Sequence, residues 1–228
     1  MQLRVASYNI HACIGTDGRF DPARITAVIR EMDADVIALQ EVEHHLIDNE
    51  DLLDYLARTT GYQAVAGPTL MRETRHYGNA LLTRMPIIDS HSRDISVAPY
   101  EPRAVIEAQL SAGNKTVTVM ATHLGLWPAE RRMQVRQLLL LLEQQSTDVT
   151  LLLGDLNEWF LWGRPLRWLQ RFFKKSRHIP TFPANFPLFS LDRVWVAPEK
   201  TLLAISSHRS ILSRKASDHL PIVATIQL

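Results

Sequence analysis

Cysteine is almost absent from this chain of 228 residues, in which Cys13 is the only one. An intrachain disulfide is therefore excluded, and such low cysteine usage agrees with a reducing compartment. Glycine is also sparse, and no low-complexity segment or interdomain linker interrupts the sequence. A chain of this length buries a sizeable core without covalent staples. We therefore expect a single domain that covers residues 1–228.

Long apolar runs and a secretory signal are lacking as well. The longest leucine run, at 138–142, lies in a helical stretch with charges around it, so no transmembrane span is predicted. The N-terminal "MQLRVASYNIH" reads as a strand and has no basic start followed by an apolar segment. We expect a cytoplasmic protein, and the basic stretch described below adds the expectation of peripheral attachment to the inner face of the membrane.

Helices and strands interleave in the first and last thirds of the sequence, and the middle is rich in strands. Strands are predicted at 3–9, 35–41, 78–84, 87–97, 103–110, 115–122, 149–154, 189–196, 201–206 and 220–227. Helices are predicted from Pro22 after an N-cap at Asp21, at 49–59 before Gly61, and at 128–145. This order indicates an α/β domain whose helices flank its sheets.

Polar side chains interrupt one apolar run abruptly. In "LLLGDLNEW" (151–159), Asp155 and Asn157 stand on either side of Leu156. Residues i and i+2 of an extended chain point to the same side, so both would face one spot beyond the end of the strand. Two alternatives follow: the pair closes an Asx turn, or it holds something at that spot.

The same pattern recurs at other strand ends. Asn9, Glu41 and His123 end apolar strands, Asp192 opens one, and Asp218 and His219 precede the last one. Each alone also fits an ordinary role, such as a turn residue, an exposed strand end or a core histidine. Together they predict a cluster at one rim of the sheets. Oxygen ligands of this kind, with few thiols, suit Mg²⁺ or Mn²⁺ rather than structural zinc.

A set of motifs in this order resembles the endonuclease/exonuclease/phosphatase superfamily, which includes DNase I-like proteins. The motifs are "YNIH" at 8–11, "LQEVE" at 39–43, "YGNALLTR" at 77–84, "THLGL" at 122–126, "GDLNEW" at 154–159, "LDRVWV" at 191–196 and "SDHLPI" at 217–222. The segment "TFP…FP…LDR" at 181–193 is similar to that of short bacterial members. The resemblance implies an α/β fold: a four-layer sandwich of two face-to-face, mainly antiparallel β-sheets flanked by helices, with the site at one end.

The resemblance further implies a metal site and a water-activating group. Glu41 would be the principal metal carboxylate, assisted by Asn9 and Asp218, with Mg²⁺ as the cofactor and Mn²⁺ as the alternative. Asp155 would orient or deprotonate the attacking water. Asn157 would hold the phosphate oxygen or that water.

Two histidines complete the implied catalytic set. His219, paired with Asp192, would act as a base or as a charged clamp on the phosphate, because an Asp–His pair stabilises the cationic imidazole. His123 would bind the phosphate or protonate the leaving group. By the same resemblance, Asn79 and Arg103 would bind the substrate.

The charge of the sequence is uneven, although its net value is only +1. No Asp or Glu occurs from Trp159 through Leu191, where Arg164, Arg167, Arg171, Lys174, Lys175 and Arg177 fall. A basic amphipathic stretch with aromatics at 159–178 fits an anionic membrane surface or a single-stranded nucleic acid. An ordinary helix with a solvated basic face over a packed apolar one is the alternative. Arg131, Arg132 and Arg136 are interpreted as a solvated helix face.

The function expected from these features is Mg²⁺-dependent hydrolysis of a phosphoester. A phospholipid headgroup or a small phosphoester is favoured as the substrate, because the net charge is nearly neutral and the basic stretch is amphipathic. A nuclease acting on DNA or RNA is the alternative enzyme, since nucleic acid fits the same stretch. A non-catalytic adaptor for membranes or proteins on the same fold is the alternative of another class. No protein partner is inferred.

Overall fold

The computed structural model describes residues 1–43, 45–47, 49–72, 75–174 and 177–228, and two large β-sheets form its centre. In chain order the elements are β1 (Gln2–Asn9), α1 (Pro22–Met32), β2 (Val36–Glu43), β3 (Leu46–Ile47), β4 (Glu50–Asp51), α2 (Leu52–Thr60), β5 (Gln63–Arg72), β6 (Arg75–Thr83), β7 (Ile87–Asp94), β8 (Ala104–Ala112), β9 (Lys115–His123), α3 (Pro128–Glu143), β10 (Val149–Asp155), α4 (Arg164–Phe173), β11 (Asp192–Ala197), β12 (Leu202–Ser207), α5 (Ser213–Ala216) and β13 (Ile222–Gln227).

Each large sheet has one parallel pair of strands within an otherwise antiparallel ladder. The first sheet has the order β12-β13-β1-β2-β6-β5, with β1 and β2 parallel. The second has the order β11-β10-β9-β8-β7, with β9 and β10 parallel. A helix connects the strands of each parallel pair, α1 in one sheet and α3 in the other, as such a crossover requires. The carboxyl ends of the paired strands therefore lie at the same edge of each sheet.

The two sheets pack face to face, and helices cover their outer faces. Side chains such as Val5, Ile106 and Leu151 fill the space between the sheets. Helices α1 and α2 pack on the outer face of the first sheet, whereas α3 and α4 pack on that of the second. The result is the predicted four-layer α/β sandwich. Among the helices of the described residues, none combines the length and hydropathy that crossing a bilayer demands.

Local signals account for the helix ends that the sequence predicts. The Asp21 side chain accepts a hydrogen bond from the backbone N of Arg24 at 2.9 Å, and Pro22 occupies the first turn of α1. Gly61 follows α2 with a φ of 78°, a conformation that glycine adopts at no steric cost. Helix α2 begins at Leu52 rather than at 49, because Glu50 and Asp51 form the short strand β4.

Strand β5 is the one long element that the sequence prediction omitted. It carries Gly67 and Pro68, which ordinarily interrupt strands. The strand lies at the edge of its sheet, paired only with β6, and its register shifts between Pro68 and Leu70. An edge strand with such an irregularity tolerates proline, because one side of the strand requires no ladder hydrogen bonds.

Helix α4 shows how residues 164–173 of the basic aromatic stretch pack. Leu166, Leu169 and Phe173 are buried in the core beneath the second sheet, while the arginines of the helix point outward. The apolar face of α4 is thus used for internal packing, as the ordinary-helix alternative predicts. Lys175 and Ser176, which belong to that stretch, lie outside the described residues.

Candidate active site

The strand pairing brings the predicted site residues to one end of the sandwich. In the second sheet, Asp155 at the end of β10 lies opposite His123 of β9 on one side and Asp192 of β11 on the other. Asn9, at the end of β1 in the first sheet, donates from Nδ2 to Asp155 Oδ2 at 3.2 Å. This hydrogen bond joins the ends of the two sheets.

Glu41 enters the site through a β-bulge. Leu39 pairs with Ala80 and Val42 with Gly78, so two residues of β2 oppose the single residue Asn79 of β6. The second bulged residue, Glu41, has a positive φ of 58°. The bulge redirects its side chain, and Glu41 Oε1 accepts a hydrogen bond from Asn9 Nδ2 at 2.9 Å.

The environment of Glu41 disfavours its negative charge unless a cation is near. Burial raises the pKa of Glu41, and the charge of Asp155 raises it further, against the hydrogen bond from Asn9. Asn9 thus places its amide nitrogen between two carboxylates, while its Oδ1 accepts from the backbone N of His11 at 3.0 Å. A pair of carboxylates held this way provides oxygen ligands of the type that Mg²⁺ prefers.

Asp155 also closes a turn with Asn157, which is the first of the two alternatives for this pair. The backbone N of Asn157 donates to Asp155 Oδ1 at 2.8 Å, which forms an Asx turn. Asn157 has a φ of 50°, beyond the end of β10 at Asp155, so a turn rather than an extended chain brings the two side chains to one spot. Asn157 Nδ2 lies 3.0 Å and Asp155 Oδ2 3.7 Å from His123 Nε2. The turn leaves Asp155 Oδ2 facing the site and sends Asn157 Nδ2 to the carbonyl oxygen of Leu124 at 2.9 Å.

His219 forms a buried pair with Asp192. Its Nδ1 lies 2.8 Å from Asp192 Oδ2, and the Thr181 hydroxyl donates to the same oxygen at 2.6 Å. Burial alone would lower the pKa of His219, but Asp192, Asp155 and Asp218 together raise it to about 10. His219 is therefore a cation at neutral pH, with Nε2 3.8 Å from Asp155 Oδ2.

His123 has the opposite surroundings. Its Nε2 lies 3.7 Å from Asp155 Oδ2, and its Nδ1 lies 3.3 Å from Arg103 Nη1. Both ring nitrogens face a donor, since Asn157 Nδ2 lies 3.0 Å from Nε2 and a guanidinium and an amide nitrogen only donate hydrogen bonds. Burial lowers the pKa of His123 to about 3, with Arg103 contributing against Asp155. His123 is therefore a neutral imidazole beside Asp155.

Asn79 and Asp218 lie at the border of this cluster. Asn79 Nδ2 donates to the carbonyl oxygen of Ala104 at 3.1 Å, which links β6 to the start of β8 next to Arg103. Asp218 is partly exposed, and its Oδ1 lies 3.7 Å from His11 Nδ1 and 3.3 Å from Ser217 Oγ. Metal binding by Asp218 and substrate binding by Asn79 thus stay predictions.

Two sets of residues can be compared as metal ligands. Among the described residues, Asp155, Asp192 and His219 offer ligand atoms within 4.8 Å of one another. However, His219 Nδ1 and Asp192 Oδ2 are already hydrogen-bonded, and a cationic imidazole does not bind metals. The carboxylates of Glu41 and Asp155, bridged by Asn9, suit a hard cation better.

Arg131 corrects one interpretation from the sequence. It was expected on a solvated helix face, but its side chain is only 2% exposed. Its guanidinium donates to the carbonyl oxygen of Leu126 at 2.6 Å and to Glu158 Oε2 at 3.4 Å. These bonds join the loop after His123 to the loop after Asn157. The adjacency of Glu158 to "GDLN" was the only sequence signal for this contact.

A cavity of about 380 Å³ adjoins the site at Asn79. Its wall is mainly apolar and includes Val42, Leu53, Pro68 and Tyr77. Burial and the charge of Glu41 raise the pKa of the Tyr77 hydroxyl, against the Arg103 guanidinium. Tyr77 therefore lies between the cavity and the charged cluster.

Comparisons with known proteins agree with this architecture. The chain is 32% identical to the uncharacterized protein YbhP of Escherichia coli over 248 positions, which cover 99% of this chain and 96% of that protein. An endonuclease/exonuclease/phosphatase from Beutenbergia cavernae is structurally similar, with a TM-score of 0.82 and 24% identity over 100% of this chain and 72% of that one. One from Bacteroides vulgatus has a TM-score of 0.80 and 16% identity, covering 100% and 99% of the two chains.

The two structural similarities, both below 25% identity, show the shared DNase I-like fold. The sequence comparison goes further, because a family model matches most of the chain. This match runs from residue 6 to residue 219 and so includes every site residue described above, from Asn9 to His219. The chain belongs to the endonuclease/exonuclease/phosphatase family.

Proposed function

We propose that this protein is a divalent-metal-dependent phosphoester hydrolase, with Mg²⁺ as the metal and Mn²⁺ as an alternative. One observation carries the proposal: Asp155 Oδ2 lies between the Nε2 atoms of His123 and His219 and is linked through Asn9 to Glu41. Members of the family are generally hydrolases of phosphoester bonds. The cluster combines a carboxylate that can accept a proton, a cationic imidazole and a neutral imidazole within one small space.

The residues of the cluster would divide the work of hydrolysis. Glu41 and Asp155, with Asn9 and Asp218 beside them, would hold the metal, which when bound neutralises phosphate oxygens and lowers the pKa of water. Asp155 would accept a proton from the attacking water as the new P–O bond forms. Holding that water in line with the scissile bond supplies much of the remaining acceleration.

The two histidines would act on the phosphate and on the leaving oxygen. The His219 cation would donate from Nε2 to a non-bridging phosphate oxygen. His123 would donate from Nε2 to the leaving oxygen, which takes its proton from solvent after the old P–O bond breaks. Asn157 and Arg103 would position the phosphate and the His123 ring, respectively.

We propose a phosphoester with an organic, partly apolar substituent as the substrate. The apolar cavity next to Asn79 would take that substituent, and none of the described residues that line it is basic, unlike a groove that tracks a polynucleotide. A nuclease is the alternative, supported by the aromatic and basic residues at 159–178.

The test is hydrolysis of a panel of substrates with Mg²⁺, Mn²⁺ or EDTA. The panel contains a chromogenic diester, single- and double-stranded DNA, RNA, inositol phosphates and phospholipid vesicles. We expect metal-dependent turnover that Glu41→Gln reduces by about 10³-fold, because the substitution removes a carboxylate from the metal site. Asp89→Asn, on the exposed edge strand β7, is the matched control and should leave the rate unchanged.

The preferred substrate then separates the alternatives. Preference for a diester or lipid over DNA and RNA supports the proposal, whereas a polynucleotide cleaved with steep salt dependence supports the nuclease. Turnover that does not require a metal contradicts the proposed mechanism. If the wild type, like Glu41→Gln, turns over no substrate of the panel, the result contradicts the hydrolase and favours an adaptor.

A further inference from the structure

Exposed apolar side chains are concentrated at the end of the sandwich that carries the site. Within the described chain, the loop after β10 exposes Trp159, Phe160, Leu161 and Trp162. The loop after β9 exposes Leu126 and Trp127, and the loop before β11 exposes Phe186, Leu188 and Phe189. We call residues 126–127, 159–162 and 186–189 the apolar collar. Exposed patches of this kind mark interaction sites in soluble proteins.

The collar lies beside the catalytic cluster because its loops adjoin three strands of the second sheet that carry it. Residue 126 follows His123, residue 159 follows Asn157, and residue 189 precedes Asp192 by a few positions. The collar also contacts the site through the ring of Phe182. The ring of Trp159 lies 4.8 Å from that of Phe189 and 5.9 Å from that of Phe182, whose ring lies 4.8 Å from His219. A surface that covers the collar would therefore lie over the reacting phosphate.

Basic side chains adjoin the collar on one side. Helix α4 begins directly after residue 163, and its Arg164, Arg167 and Arg171 are exposed. The sequence has no Asp or Glu from Trp159 through Leu191, so no acidic residue of that segment balances these arginines. Since the apolar face of α4 is packed in the core, the helix presents its charges rather than its apolar face to the outside.

We propose that the apolar collar and the arginines of α4 form a docking surface for an anionic phospholipid bilayer. The assignment of the substrate as a phosphoester at that surface rests on the hydrolase proposed above. Tryptophan and phenylalanine with basic neighbours are the residues that proteins place in the headgroup region of a membrane. The arginines complement the negative charge of anionic headgroups.

The aliphatic members of the collar favour a bilayer over single-stranded nucleic acid. Bases stack on aromatic rings, but Leu126, Leu161 and Leu188 offer no ring for stacking. Apolar burial in the headgroup and acyl region stabilises aliphatic and aromatic side chains alike. A surface of mixed Trp, Phe and Leu around a charged site therefore fits lipid better than a polynucleotide.

The test is co-sedimentation with vesicles, which requires no turnover. The Glu41→Gln variant is mixed with vesicles of pure phosphatidylcholine or of equal parts phosphatidylcholine and phosphatidylglycerol. We expect binding to the anionic vesicles, reduced about tenfold by the added double substitution Phe160→Ser/Trp162→Ser, because these side chains contribute apolar burial. Phe160 and Trp162 are 58% and 71% exposed, so the folded state should tolerate the change.

A matched control lies at the far end of the sandwich. Ile88, at the start of β7, is 57% exposed, and Ile88→Ser should leave vesicle binding unchanged. A triple Arg164→Gln/Arg167→Gln/Arg171→Gln variant should lose binding to anionic vesicles, by about fivefold per charge, and most strongly at low salt.

Each outcome separates the docking surface from the hydrolase. No vesicle binding, or binding that Ile88→Ser weakens as much as the collar variant does, overturns the docking surface. Collar-dependent binding to single-stranded DNA in place of vesicles also overturns it. Metal-dependent hydrolysis of a soluble diester would still support the hydrolase in those cases. Collar-dependent vesicle binding by a protein that hydrolyses nothing would support the surface and contradict the hydrolase.

Discussion

The two histidines beside Asp155 lie at almost the same distance from it but in opposite electrostatic surroundings. The Nε2 atoms of His123 and His219 are 3.7 Å and 3.8 Å from Asp155 Oδ2. The difference arises at Nδ1, which faces the Arg103 guanidinium in His123 and the Asp192 carboxylate in His219. Burial lowers the pKa of His123 to about 3, and Arg103 adds to that decrease. In His219, Asp192 and the neighbouring carboxylates outweigh burial and raise the pKa to about 10. The carboxylate behind His219 therefore makes that ring a cation, whereas the buried His123 stays neutral.

Removing the charge behind His219 should have the largest effect on this contrast. Asp192→Asn keeps the size of the side chain but removes the anion that stabilises the imidazolium. We expect kcat to fall by about 10³-fold with KM changed little, because the cation would act mainly in the transition state. Steady-state kinetics on the chromogenic diester measure this effect.

Asp192→Glu is the control that separates loss of the negative charge at residue 192 from a change in the position of the carboxylate. The longer carboxylate keeps the negative charge, so it should retain more activity than the isosteric amide does. Equal loss in both variants would mean that placement of the carboxylate, rather than its charge, supports His219.

Removing the donor behind His123 should have a smaller effect. Arg103→Gln takes away the guanidinium that contacts His123 Nδ1 and positions the ring, and we expect a loss of about 10²-fold in kcat/KM. Arg103→Lys keeps a donor toward Nδ1 and should restore part of the activity. Kinetics of both variants are compared with those of the wild type.

Glu101→Gln provides the matched control on the same side. Glu101 pairs with Arg103 Nη2 at 3.0 Å but is 43% exposed and does not touch His123. The loss of its charge should change the rate by less than about threefold, because the Glu101 side chain is largely solvated and such pairs contribute little. An effect as large as that of Arg103→Gln would assign the role to the ion pair rather than to the contact of Arg103 with His123.

The contrast between the histidines was only partly predictable from the sequence. Motif order identified His219 with Asp192 and placed Arg103 among the substrate-binding residues. The position of Arg103 behind His123 follows from the pairing of β8 with β9, a contact between strands that no local pattern encodes. The charge state of each ring depends on burial, which is a property of the folded chain.

The fold was predictable where local chemistry determines an element. Asp21 and Pro22 fixed the start of α1, whereas the edge position that allows Pro68 in β5 emerges only when the sheet is assembled. Arg131 was misread for a related reason, because its partner Glu158 comes from a distant strand end. Long-range burial of charged side chains is thus the main feature that sequence patterns did not reveal.

Thr181 is a site residue to which the sequence assigned no role. Its substitution should have the smallest effect on the difference between His219 and His123. Its hydroxyl donates to Asp192 Oδ2, the same oxygen that faces His219 Nδ1. Among the described residues, Asp192 Oδ1 has no hydrogen-bond partner, so this carboxylate depends on few donors. Thr181→Val is nearly isosteric and should lower kcat by about tenfold, the equivalent of one buried hydrogen bond, without an effect on KM. Thr181→Ser retains the hydroxyl and should recover most of the rate. If the valine variant is as active as the wild type, His219 alone is sufficient to hold Asp192 in place.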